Sequence, residues 1–127
     1  MNLVDSSGWI EYFTDGPNAE RFAPALEDTD HLLVSVINLY EVFKHVLRHR
    51  GEPEALQAVS VMQEARVVPI DEALALEAAR LSVHYRLPMA DSFILATARR
   101  YGATIWTQDA DFEGLEGVRF FPKPGSN

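Results

Sequence analysis

The 127-residue sequence contains no cysteine, which excludes disulfides and thiolate-held metals and fits a reducing compartment. Lysine is scarce as well, with Lys44 and Lys123 the only two. Eleven Lys and Arg stand against 19 Asp and Glu, a formal charge of −8, which argues against a protein that wraps nucleic acid with a uniformly basic surface. A local basic patch beside an acidic, metal-loaded site, or a basic partner protein, stays open on charge alone. No stretch approaches the roughly 20 apolar residues of a membrane span. The start, MNLVDSSGWIEYF, lacks the basic and long apolar regions of a secretory signal. The expectation is a soluble cytoplasmic protein with no membrane partner. There is no low-complexity run and no internal repeat, and a hydrophobic share of 47% provides for a core without staples. One domain over residues 1–122 is expected, with 123–127 as a flexible C-terminal tail.

Leu3–Val4 is a short apolar run ending in Asp5 and reads as a first strand. The next segment, SSGWIEYF, places Trp9, Ile10 and Phe13 on one helical face, with Ser6 or Ser7 available as a cap. Helical spacing continues over 19–27, and HLLVSV reads as a second strand. From Ile37 to about Arg50 the pattern is helical, with Gly51 a stop and Pro53 suited to the first turn of another helix. RVVPI is a short strand whose Pro69 marks an edge or strand end, and Asp71 caps the helix after it. A further helix starts near Ala90–Asp91 and ends at Gly102. ATIWT is a strand, DADFEGLEG a loop and VRFF a last strand. Strands separated by helices imply crossover connections, so the fold class expected is α/β, a mainly parallel sheet covered on both faces.

Sites in such sheets gather at the carboxyl ends of the strands. Asp5 follows the first strand, Glu41 lies about one turn into the helix after the second, Asp91 opens its own helix, and Asp109 comes two residues after Thr107. Each has an ordinary alternative. Asp5 can cap a helix, Asp91 can be a first-turn acid favoured by the helix dipole, Glu41 can be a solvated helix residue, and Asp109 and Asp111 can be turn formers. What distinguishes them is coincidence of position: four acids from four segments at one sheet edge repel one another unless a cation lies between them. Mg²⁺ and Mn²⁺ are hard cations that favour oxygen ligands. Such a site suits phosphodiester hydrolysis, in which one or two ions polarise a phosphate and lower the pKa of the attacking water.

Glu41, Lys44, His45 and Arg48 follow i, i+3, i+4, i+7 and form one polar helical face, with His49 and Arg50 near its end. A phosphate backbone entering the acidic site would meet that face, although mixed-charge stripes are also ordinary solvated surface. His45 and His49 at i, i+4 raise zinc, but the metalloprotease pattern needs a Glu directly after the first His, and Val46 stands there. Trp9 and Phe13 have the look of a base-stacking pair, though at helical spacing such residues are more often core or subunit contact. Exposed apolar positions around them would favour a homodimer.

The layout LVDSS, then SVINLYEV, LPMADSFILATA and TIWTQDADF, resembles PIN-domain ribonucleases, specifically the VapC-type toxins of toxin–antitoxin pairs, over residues 2 to 122. The resemblance implies a three-layer α/β/α sandwich, dependence on Mg²⁺ or Mn²⁺, endonucleolytic cleavage of RNA and inhibition by a cognate antitoxin. It matches the family's acidic metal-binding positions to Asp5, Glu41, Asp91 and Asp109. Thr107 matches a small hydroxyl position that orients the site, Ser6 the polar residue after the first Asp, and Asp111 an auxiliary acid. RNA binding then depends on Lys44, His45, Arg48 and His49, helped by Arg86, Arg99 and Arg100. Two other classes compete: an inactive PIN-like protein-binding module, and a receiver-type phosphoacceptor. The receiver expects paired acids after the first strand, where Ser6 and Ser7 stand.

Overall fold

The computed structural model describes residues 1–125. The chain runs β1 (Asn2–Val4), α1 (Ser6–Phe13), α2 (Ala19–Leu26), β2 (Leu32–Ser35), α3 (Val36–Arg50), α4 (Glu52–Met62), β3 (Arg66–Val68), α5 (Glu72–Tyr85), α6 (Met89–Tyr101), β4 (Thr104–Thr107) and β5 (Val118–Phe120). The sheet order is β3-β2-β1-β4-β5, and every pairing is parallel. Element starts follow local chemistry. Asp71 caps α5 by accepting the Leu74 N–H at 2.8 Å. Gly102, at φ +64, ends α6 in the left-handed conformation that glycine adopts without a Cβ clash. The expected loop after β4 holds a short 3₁₀ turn, Ala110–Phe112, and the last strand stops one residue early, at Phe120. Of the expected tail, residues 126 and 127 lie outside those described.

Strand side chains alternate between two cores. Val4, Leu32, Val34 and Trp106 pack with α1 to α4, whereas Leu3, Leu33, Val68 and Ile105 pack with α5 and α6. Period-two alternation in strands buried on both faces yields the three-layer α/β/α arrangement. The strand order reverses between β1 and β4. Such a switch point opens a crevice at the carboxyl ends of the two strands, since their following connections leave to opposite faces.

Trp9 is 1% exposed and stacks on the half-buried Phe13 with ring centroids 5.6 Å apart. The expectation of exposed apolar surface there fails for Trp9, because its helix lies tightly on the sheet. The exposed large apolar side chains are elsewhere, among them Tyr40, Leu76, Val83 and Met89. Gly8 sets that close approach: a Cβ there would lie 2.6 Å from Val4 Cγ1 and 2.8 Å from the Phe22 ring. We predict that Gly8→Ala destabilises the fold by about 1–3 kcal/mol through overpacking. A denaturant midpoint equal to the parent's would show that α1 has room to shift.

Candidate functional site

Asp5 leaves the end of β1 with its N–H bonded to the Trp106 carbonyl at 2.9 Å, so the β1–β4 pairing continues into the crevice. It occupies the residue before α1, but its side chain caps nothing. Instead Asp5 Oδ2 accepts hydrogen bonds from Ser7 Oγ at 2.8 Å and Thr107 Oγ1 at 3.0 Å. Thr107 Oγ1 in turn accepts the Asp109 N–H at 2.9 Å. One buried hydroxyl therefore fixes an acid on each side of the switch point. Asp109 also fills a turn role, its Oδ1 accepting the Asp111 N–H at 2.9 Å. The turn-former alternative and the site geometry hold for the same residue.

Glu41 is held by a chain of donors. Ser6 Oγ donates to Glu41 Oε1 at 2.7 Å and accepts from Asn38 Nδ2 at 2.9 Å, while Asn38 Oδ1 accepts the Ser35 N–H at 3.0 Å. Asn38 is fully buried. It donates to Ser6, so the Ser6 proton turns to the carboxylate. Residue-level reading of the sequence missed Asn38 and Ser7. The spacing from Ser35 to Asn38 carries a helix-capping signal, which the structure bears out, and that signal hides the second use of the amide.

Asp91, in the first turn of α6, is buried with no capping bond. Its carboxylate oxygens, with those of Asp109 and Asp111, offer a set of three atoms all within 4.8 Å of one another. Asp111, expected as an auxiliary acid, thus belongs to the same close set as Asp91 and Asp109, although it is exposed. Burial is the largest influence on Asp91, and repulsion from Asp109 and Asp5 adds to it, pushing its pKa up to about 8. Burial also raises Asp5, to about 6, against the opposing hydrogen bonds from Ser7 and Thr107. Among the described residues none of these acids takes part in an ion pair.

The acids open into a cavity of about 370 Å³. Asp5, Glu41, Asp91 and Asp109 line it together with Lys44, His45, Arg48 and His49 of α3. Burial, then the neighbouring His49 and Arg48, lower the pKa of His45 and so favour its neutral imidazole. The rings of His45 and His49 stack with centroids 4.3 Å apart. Arg50 faces Glu54 at 3.6 Å, Arg100 pairs with Asp71 at 2.8 Å, and Arg99 lies over the Tyr85 ring at 5.3 Å. None of these three, nor Arg86, lines the acidic cavity. Helical periodicity grouped the α3 residues because it measures one face of one helix; it carries no information on where arginines of other helices point.

The profile of the PIN domain family matches residues 3–118. Ribonuclease VapC4 of Mycobacterium tuberculosis is 35% identical over 124 residues, spanning 91% of this chain and 92% of that protein. Among solved structures, a toxin–antitoxin complex from Klebsiella pneumoniae superposes with a TM-score of 0.79 at 23% identity, covering 94% of this chain and 96% of that one. Mycobacterium tuberculosis VapC20, described as a sarcin-ricin loop cleaving toxin, superposes with a TM-score of 0.77 at 21% identity over 94% and 99% of the two chains. The parallel five-stranded sheet, the acids gathered at its switch point and the match along nearly the whole length agree: the chain belongs to the PIN domain family, and within it to the VapC-type proteins.

Proposed function

We propose that this chain is a divalent-metal-dependent endoribonuclease and the toxin of a toxin–antitoxin pair. The observation that carries the reading is the meeting of Asp5, Glu41, Asp91 and Asp109 in one cavity with no cation among the described residues paired to any of them. A 35% identical relative named as a ribonuclease supports the activity, and a solved toxin–antitoxin complex of the same fold supports the partner.

The donor set fits Mg²⁺ or Mn²⁺: it is all carboxylate oxygen, hard and anionic, and two of its members hold protons unusually strongly in place of a cation. Asp5, Glu41, Asp91 and Asp109 would hold the ion, with Asp111 beside them. When bound, the ion polarises a phosphate oxygen and lowers the pKa of a water. The rest is the work of the chain. Thr107 and Ser7 fix the direction of Asp5, and Ser6 fixes that of Glu41. Asp91, protonated at neutral pH, must release its proton for the site to bind a cation, which couples binding to pH. Lys44 and Arg48 offer charge to the RNA backbone, and His45 offers a hydrogen bond. A cognate antitoxin that inserts a basic side chain among the acids would compete for the same charge, and a second copy of the chain is the remaining partner in this reading.

The receiver alternative loses ground on topology. Receivers have the order 2-1-3-4-5, whereas here β3 lies outside β2 and β1 neighbours β4. Against the inactive module stands the complete set of acids. Calorimetric titration with Mn²⁺ alongside an assay of a pool of structured RNAs separates the two, since metal binding with no RNA cut would favour the module.

Two predictions follow from the acids. Asp5→Asn and Asp91→Asn each abolish RNA cleavage while circular dichroism stays parental; cleavage at the parental rate would remove the residue from the site. The second concerns stability. In the folded protein Asp5 and Asp91 keep their protons up to about pH 6 and 8, whereas the unfolded chain loses them near 3.8, so the folded state binds more protons across that window. Stability of the ion-free protein therefore falls as pH rises from about 4 to 8. Added Mn²⁺ offsets this, so the rise in Tm that it causes is larger at pH 8 than at pH 6. In Asp91→Asn the pH slope flattens. A parental slope in that variant would mean that Asp91 is not the strained group.

A further inference from the structure

Tyr40 is an aromatic ring left 59% exposed on α3, and it lines the same cavity as the acids. Its neighbours Leu39 and Phe43 pack against the core, whereas Tyr40 is not among the residues of that core. One turn further along the helix, Lys44 is braced on it, with Nζ 5.5 Å from the ring centroid and 3.5 Å from the hydroxyl. Arg48 continues the same stripe one turn beyond and also lines the cavity. An exposed aromatic beside cations at the mouth of an acidic cavity suits a ligand that is flat and apolar at one end and anionic at the other.

We propose that Tyr40 is a stacking platform for an unpaired nucleobase of the RNA, and that Lys44 holds the phosphate next to that base. The proposal rests on the reading of the cavity as an RNA-cleaving site and deepens it by naming how the strand is gripped. Stacking needs a base free of its helix, so the ligand is a single-stranded segment or a loop rather than a duplex. It is also tolerant of base identity, because every base offers a π-face. Tyr40 therefore sets the register of the strand over the acids, and selection among bases falls to other contacts. The cations around the ring favour a polyanion over an apolar protein surface.

Binding is measured by anisotropy with short single-stranded RNAs bearing 2′-O-methyl sugars, which resist cleavage, and with the same RNAs carrying one abasic site moved along the strand. At one position the abasic site weakens binding to the wild type about tenfold, within the range for loss of one stacked base. Tyr40→Ala weakens binding of the intact RNA by a similar factor, and its own abasic penalty at that position disappears; Tyr40→Phe and Tyr40→Trp stay near parental. Lys44→Ala lowers the salt dependence of binding but keeps the abasic penalty. Tyr40 is exposed, so the Ala variant retains the parental Tm. Parental RNA binding by Tyr40→Ala, or an undiminished abasic penalty in it, overturns the proposal while leaving RNA cleavage by the wild type intact. Parental RNA binding together with loss of a protein partner places Tyr40 in a protein interface and overturns it as well. Absence of both binding and cleavage of any RNA by the wild type overturns the ribonuclease reading itself.

Discussion

Thr107 carries a single hydroxyl between two acids, donating to Asp5 and accepting from the backbone of Asp109. That position exists because β1 and β4 are parallel neighbours in register, with Val4 opposite Trp106, so the residues that follow each strand emerge side by side. Carboxylates brought so close repel one another, and burial deepens the cost, as the raised pKa values of Asp5 and Asp91 record. The hydroxyls of Ser6, Ser7 and Thr107 offset part of this by donating into the acids. What they leave over is a site with less than its full complement of positive charge. The fold spends stability to keep these acids together.

Helix α3 carries both signs of that electrostatic arrangement. Glu41 faces the other acids, and Lys44 and Arg48 line the same cavity from the next turns. In a chain of net charge −8, two of the eleven basic residues thus stand at the acidic opening, while Arg50, Arg80 and Arg100 are paired with acids on other parts of the surface. Net acidity does not prevent a local positive patch, because the field near an opening is set by the charges closest to it.

Much of this was legible in the residues. Apolar runs punctuated by Gly, Pro and Asp marked the strands and helices to within a residue or two, and the rule that sites gather at strand ends singled out Asp5, Glu41, Asp91 and Asp109 before any coordinates. Side-chain partners were less accessible. Asn38 is the helical partner of the Ser35 cap in a capping box; its second bond, to Ser6, depends on α1 and α3 lying against each other, which no local pattern encodes. Asp111 gained weight for a similar reason, because the 3₁₀ turn folds it back toward Asp91. Trp9, for which packing was the commoner reading, is buried, whereas Tyr40, which no sequence pattern singled out, is exposed. Periodicity puts both on helical faces, but only the tight seat imposed by Gly8 tells which ring is covered.

The sheet ends on both sides in strands of three residues, β3 and β5, each followed within two residues by a proline, Pro69 and Pro122. Proline has no N–H to donate, and short edges offer few free backbone groups to an incoming strand. Lateral growth of the sheet, whether into aggregates or by strand exchange between copies, finds almost no template here. Changes to the exposed helix side chains leave untouched the backbone pairing that holds the acids in place.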